Sequence, residues 1–349
     1  MPPQPHLKQI IEACIALSRE QARDLMQQIL AGQLSDIEIA ALLGALAARG
    51  ETASEIAGFV DVMRTAVTPI PLTAAERNTL VDTCGTGGDA SGTFNISTAA
   101  ALVAAATGAA SGSNIMVAKH GNRAVTSQTG SADVLEALGI PVDLTPDEAA
   151  TALRTHRFAF LHAPSLHPAM KAVMPVRRAL GMRTIFNILG PLTNPAGASA
   201  QVMGVYSARL VPIVAEAMAL LGMRHAFVVH GNTQHEKGLD EISISGPSQL
   251  AEVHKGAVTI STVTPEDVGL LRSSSDALKG GDAKTNAAIL TAIFSGERGP
   301  RRDIVLLNAA AVLVSADFAL DLPAGIALAS KTIDSGAVTR LIENLRTRS

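Results

Sequence analysis

Tryptophan is absent from this 349-residue chain, tyrosine occurs once, and aromatic residues make up only 3%. Proteins that grip single-stranded nucleic acid stack bases on such rings and line the path with basic charge. With a formal net charge of −3 the chain has neither device, and no field to draw it to nucleic acid or an anionic membrane. Cysteine is scarce as well. Cys14 and Cys84 are too few for a disulfide framework and lack the spacing of a metal site, so a reducing cytoplasm is the expected compartment. Residues 99–106 and 304–314 are the longest apolar runs, shorter than the roughly 20 residues of a membrane span or broken by polar side chains. The N-terminus lacks the apolar core of a signal peptide. One further absence is local: no Asp or Glu lies between Asp89 and Asp133, while Lys119 and Arg123 supply positive charge there.

What is present is a globular chain, 47% apolar and long enough for about two domains. Residues 1–70 read as a small all-α domain. Ser18…Gln21, Ser35…Glu38 and Thr52…Glu55 each have the hydroxyl-to-carboxylate or amide spacing of a capping box. Pro69, Pro71 and the polar run 73–78 read as a linker. From residue 71 to 349, apolar runs at 80–84, 115–118, 200–206 and 226–230 alternate with helical stretches such as 97–107, 132–138, 211–221 and 304–314. That alternation predicts a large α/β domain, a central mainly parallel sheet flanked by helices. Residues 109–114 and 232–237 read as flexible loops. Ligands in such folds sit beyond the carboxyl ends of the strands, where Gly85-Thr86-Gly87-Gly88-Asp89 and His230-Gly231 fall.

The glycine-rich turn carries the most chemistry. Gly85, Gly87 and Gly88 let backbone N–H groups approach phosphate oxygens, and Thr93, Asn95, Ser97 and Thr98 lead into a small-residue helix whose N-terminus favours anions. The same residues satisfy a dinucleotide-binding pattern, but polar loop residues follow the turn and the acid-free run removes the ribose carboxylate that fold needs about 20 residues later. In Lys119-His120-Gly121-Asn122-Arg123, at a strand end, lysine offers a point charge and arginine a fork; His120 reads as a wall residue or an acid–base group. Asp240-Glu241 is either plain surface or, beside a phosphate site, a Mg²⁺ pair; Asp89 would hold a metal-bound water or a ribose hydroxyl. Prolines bracket the segment with Arg177 and Arg178, one of which would decorate the surface while the other faces Phe186, Ile188 and Leu189 and suits a planar aromatic carboxylate. Lys279-Gly280-Gly281-Asp282 reads as a turn with Asp282 as N-cap, with a second phosphate loop as the alternative.

Taken in order, GTGGD at 85–89, NIST at 95–98, KHGNR at 119–123, RTIFNILGPLTNP at 183–195 and the pair Asp240-Glu241 closely resemble the anthranilate phosphoribosyltransferase family of tryptophan biosynthesis. The resemblance spans nearly the whole chain. It implies a helical domain, rejoined by a helical excursion near 165–185, on an α/β domain of the nucleoside phosphorylase/phosphoribosyltransferase fold, and a homodimer through the helical domain. It implies that Gly85, Asp89, Asn95, Ser97, Thr98 and Lys119, with Gly87, Gly88 and Thr93 of the same loop, bind phosphoribosyl pyrophosphate. Ser97, Asp240 and Glu241 would handle Mg²⁺. Gly85, His120, Asn122, His167, Arg177 and Pro191 would line the anthranilate path, with Asp89, Lys119 and Arg177 the expected catalytic residues. The reaction implied is attack of the anthranilate amine on ribose C1 with loss of pyrophosphate. A pyrimidine nucleoside phosphorylase and a non-catalytic nucleic-acid-binding relative are the rivals.

Overall fold

Reciprocal caps start five of the helices. In the computed structural model, which describes residues 5–124, 128–234 and 238–347, the hydroxyls of Ser18, Ser35 and Thr52 accept from the N3 backbone, and Gln21, Glu38 and Glu55 reach back to the cap N–H. Each cap stabilises its helix by about 1 kcal/mol. After α1 (Pro5–Ile11), these caps open α2 (Arg19–Leu30), α3 (Asp36–Arg49) and α4 (Ala53–Thr65). Leu25, Met26, Ile29, Leu42, Leu46, Phe59 and Val60 fill the space between them. Glu55 is wholly buried, and its carboxylate also accepts from Leu17 N–H at 2.9 Å and from Arg49 Nη2 at 2.5 and 2.6 Å. One residue thus caps α4 and pins the preceding loops.

The same pattern, Thr73…Glu76, turns the polar run expected as a linker into a short helix, α5 (Ala74–Asn78). Then follow β1 (Leu80–Gly85), α6 (Ile96–Ala110), β2 (Met116–Gly121), α7 (Ser131–Ala137), α8 (Pro146–His156) and β3 (Phe158–His162). Three short helices come next, α9 (Ala163–Leu166), α10 (Met174–Leu180) and α11 (Phe186–Leu189), then β4 (Ala200–Gly204), α12 (Leu210–Leu220), β5 (His225–Asn232) and β6 (Gly238–Leu239). A hairpin of β7 (Ser248–His254) and β8 (Ala257–Val263) precedes α13 (Ala283–Phe294), α14 (Pro300–Ser315), α15 (Leu322–Asp334) and α16 (Ala337–Arg346).

The sheet order is β3-β2-β1-β4-β5-β7-β8, parallel from β3 to β5; β6, β7 and β8 pair antiparallel. A small helical N-terminal domain on a larger α/β domain, as the sequence predicts, is therefore the architecture. The antiparallel hairpin was not foreseen. Its β7 alternates buried and partly exposed residues and β8 is largely exposed, so no continuous apolar run marks them. Helix α6 has the opposite character: residues 99–105 are wholly buried alanine, leucine and valine, letting α14, α15 and α16 pack closely around it. The expected loop at 109–114 is shorter, because Ala109 and Ala110 complete α6 and Gly112 (φ 67°) makes the turn. Of the loop 232–237, residues 235–237 lie outside the described residues.

Candidate active site

Parallel β1, β2, β4 and β5 deliver their carboxyl ends to one rim of the sheet, and a glycine stands at or next to the end of each. A β-carbon at Gly85 or Gly204 would overlap Asp240, and one at Gly231 would come 2.5 Å from the Glu241 carbonyl oxygen. These glycines let the segment carrying both carboxylates lie flat across the strand ends. Beyond Gly85 the chain passes through left-handed backbone at Gly87 (φ 69°), Gly88 (φ 75°), Ala90 (φ 57°) and Gly92 (φ 69°), a curl that side chains resist.

The carboxylates are threaded into this loop. Asp240 Oδ2 accepts from Gly87 N–H at 2.8 Å, Asp240 N–H donates to Asp89 Oδ2 at 3.3 Å, and Glu241 Oε1 accepts from Ser97 N–H at 2.9 Å. So Gly87 and Ser97, two donors expected for phosphate, hold carboxylates. Burial, then the charges of Asp89 and Glu241, pushes Asp240 well above the usual carboxylate range. Burial raises Glu241 to about 7, opposed by Lys119. Hard oxygens crowded against like charge are a donor set short of cation, and Mg²⁺ takes one or two carboxylates with phosphate oxygens completing its shell. Asp89, Asp240, Glu241 and the neighbouring Ser97 hydroxyl fit that ion.

Lys119 is 1% exposed and lies under the site, not in its mouth: Nζ donates to Thr83 O at 2.6 Å and lies 3.4 Å from Ser97 Oγ. Its charge faces Glu241 and also Asp82, an acid on β1 that sequence reasoning passed over. Asp82 is wholly buried, accepts from His120 N–H at 3.1 Å, and is raised to about 6 by burial despite Asn194 and Lys119. An acid inside the run Leu80-Val81-Asp82-Thr83-Cys84 was the available signal. Arg123 is spent elsewhere, paired with Glu136 at 2.7 Å and near Asp133 and Asp143.

Thr98 is buried and its Oγ1 has no partner among the described residues. Asn95 donates to Thr129 O at 3.4 Å and accepts from Asn286 at 2.9 Å. Thr93 pairs with Lys279, and Gly280 N–H donates to Gly92 O at 2.9 Å. Residues 279–282 therefore form the expected turn, with Asp282 capping α13, and they also buttress the glycine loop from behind.

On the other flank, His120 and His167 meet Nε2 to Nε2 at 3.0 Å, joining the end of β2 to the segment after α9. Burial lowers His120 to about 3 and His167 to about 4, so both are neutral and the contact holds a single proton. Pro191 O accepts from Gln201 Nε2 at 2.7 Å, and Asn194 donates to Ala118 O at 2.8 Å, lashing 187–195 over β1, β2 and β4. Arg178 is exposed; Arg177 is half-buried, lies 5.4 Å from the centre of the Phe186 ring, and has no acceptor among the described residues. Burial lowers its pKa. Arg183, which opens the RTIFNILGPLTNP motif but had no role assigned from sequence, stacks on Tyr206 at 4.5 Å and donates to Gly88 O, tying this segment to the glycine loop. Asn122 is exposed, and no hydrogen bond joins it to Arg177 or His167.

Residues 77–339 match the model of the glycosyl transferase family a/b domain, and residues 4–67 that of its helical bundle domain. Anthranilate phosphoribosyltransferase of Symbiobacterium thermophilum is 50% identical over 330 residues, 95% of this chain and 93% of that protein. The chain belongs to the anthranilate phosphoribosyltransferase family. The crystal structure of the Thermus thermophilus anthranilate phosphoribosyltransferase superposes with a TM-score of 0.88 at 42% identity, covering 98% of both chains. The Saccharomyces cerevisiae anthranilate phosphoribosyltransferase in complex with PRPP and Mg superposes at 0.84 with 28% identity, covering 97% of this chain and 95% of that one. The resemblance carried by the five motifs thus extends over both domains, and the family fold accounts for the glycine loop, the paired carboxylates and residues 183–195 meeting at one rim.

Proposed function

We propose that this chain transfers the 5-phosphoribosyl group of phosphoribosyl pyrophosphate to the amine of anthranilate, releasing pyrophosphate, as a pentosyltransferase of tryptophan biosynthesis. The observation that carries the reading is the carboxylate cluster locked onto Gly87 and Ser97 N–H at the mouth of a glycine loop. Gly85, Gly87, Gly88, Thr93, Asn95, Ser97 and Thr98 would cradle the sugar phosphate, phosphoryl oxygens replacing carboxylates on the backbone donors. Asp89 would orient the ribose end. Lys119, held from below, would set the potential under the leaving group. Bound by Ser97, Asp240 and Glu241, Mg²⁺ would neutralise charge growing on the pyrophosphate.

Arg177 would bind the anthranilate carboxylate, with Gly85, His120, Asn122, His167 and Pro191 lining its path. An aromatic amine is already a nucleophile, and the neutral histidines supply no strong base; positioning and preorganised electrostatics therefore do the catalytic work. We further infer that the domain division falls near residue 70, and that 165–185 returns to the helical domain, because Val173 and Val176 share a core with Ile39 and Leu42. Ile11, Ile15 and Ile37, exposed on that domain, support a homodimer through it. Two free cysteines, one exposed, support a cytoplasmic setting.

The test is loss of anthranilate fluorescence with phosphoribosyl pyrophosphate, with and without Mg²⁺; lacking tryptophan, the protein contributes little emission. Loss requiring both substrates and Mg²⁺ is the expected result. An unchanged signal from folded protein would overturn the proposal.

A further inference from the structure

A second cluster of ligating side chains lies at the other end of the sheet. His225 is the first residue of β5 and His254 the last of β7, and the antiparallel register sets them directly opposite, rings stacked at 4.4 Å. Asp317, just past α14, brings Oδ1 to 2.7 Å from His225 Nδ1, while Glu252 Oε1 lies 2.8 Å from His225 Nε2. One ligand atom from each of His225, His254 and Asp317 falls within 4.8 Å of the others. From His225 to Val229, whose strand partner is Gly204, β5 rises on the order of 13 Å at about 3.3 Å per residue, so this is not the catalytic rim.

The His225 side chain is 5% exposed, and both of its ring nitrogens face carboxylate oxygens at hydrogen-bond distance. Asp317 holds a left-handed backbone (φ 55°) and places a carboxylate at a helix C-terminus, where the dipole opposes it and a cation would relieve it. Arg224 pairs with its other oxygen, Oδ2, leaving Oδ1 towards His225. Metal-bound histidines commonly donate their second N–H to a carboxylate, which is the relation of His225 to Glu252.

We propose that His225 Nδ1, His254 and Asp317 Oδ1 form a binding site for a borderline divalent cation of the Zn²⁺ class, with Glu252 orienting His225 and water completing the shell. Two imidazoles and one carboxylate suit Zn²⁺ and not Mg²⁺. Ligand atoms around tetrahedral zinc are roughly 3.3 Å apart, given bonds of about 2.0–2.1 Å. The stacked planes do not yet converge, and binding turns the His254 ring, which no hydrogen bond to a described residue restrains. The ion would clamp the start of β5 and the end of β7 to the end of α14.

The experiment uses the full chain, stripped with a chelator and then saturated with Mg²⁺ to cover the catalytic carboxylates. Zn²⁺ is titrated calorimetrically and Co²⁺ by its visible absorption, in the wild type, His254→Ala and Asp317→Asn. Expected are one Zn²⁺ per chain, a tetrahedral Co²⁺ band, and a rise in Tm with Zn²⁺. His254→Ala should lose the band and bind at least about 10-fold more weakly, its turnover unchanged. Equal isotherms in wild type and His254→Ala, or no Co²⁺ band in the wild type, would overturn the site and leave His225 as a residue hydrogen-bonded between two carboxylates. Should Asp317→Asn not fold, His254→Ala decides alone.

Discussion

Gly204→Ala tests how the rim is built, because the new methyl has no way out. Its β-carbon would overlap the Asp240 carbonyl and stand 3.1 Å from the Asp240 Cα, where ordinary contact begins at 3.4 Å. The obstacle is backbone, so no rotamer change relieves it. Gly204 is held on both sides by β1 and β5, and it is the 239–243 segment that must retreat, by roughly 1 Å; a misplacement of that size costs about 10²-fold in rate. Overpacking of this kind costs about 1–3 kcal/mol of stability, a fall of several degrees in Tm. Gly112→Ala, in the turn after α6, is the control. Its methyl would meet nothing within 4 Å, so only the left-handed backbone (φ 67°) is strained, at about 1–2 kcal/mol. Anthranilate fluorescence across a Mg²⁺ titration, with circular dichroism for Tm, separates the two. Gly204→Ala should lose turnover about 10²-fold and need more Mg²⁺. A variant with wild-type turnover and Mg²⁺ response would refute the claim that this glycine sets the position of Asp240.

Other perturbations probe the remaining parts. Asp240→Ala/Glu241→Ala should cut Mg²⁺-dependent turnover by orders of magnitude while Tm holds, since it removes buried like charges; unchanged turnover would remove these residues from the metal site. Arg177→Ala should raise KM for anthranilate far more than for the sugar phosphate, and the reverse selectivity in steady-state kinetics would refute its role. Glu55→Ala strands Arg49 and unpins Leu17 and Thr52, which should cost about 3–5 kcal/mol in urea unfolding; a loss under 1 kcal/mol would contradict the pairing. His120 and His167 are depressed to about 3 and about 4 from an ordinary 6.5, so as pH falls from 6.5 to 4 the unfolded chain takes up protons the folded chain refuses. Each therefore removes up to about 1.4 kcal/mol of stability per pH unit in that window, and His167→Gln should show a shallower acid loss of Tm than the wild type. Parallel curves would exclude the buried neutral pair.

Local chemistry was legible wherever residues a few positions apart decide it. The capping boxes at Ser18, Ser35 and Thr52 form as read, because hydroxyl and carboxylate bond within one turn; the same rule also builds a helix from Thr73…Glu76, which its polarity disguised as linker. Strand ends at Gly85 and Gly121 and the Asp282 cap were equally local. The five motifs named the family because a site for phosphate, cation and aromatic acid needs its residue types in one chain order. Tertiary structure alone decided what each charge faces. Lys119 lies beneath the loop, Arg123 is consumed by Glu136, and of two adjacent arginines only Arg177 is half-buried over Phe186, with no acceptor among the described residues. Asp240 reaches Gly87 across 153 residues and Asp317 reaches His225 across 92, separations at which spacing carries no signal. Sequence sets which groups can ionise or bend; burial and the neighbours brought by the sheet set whether they do.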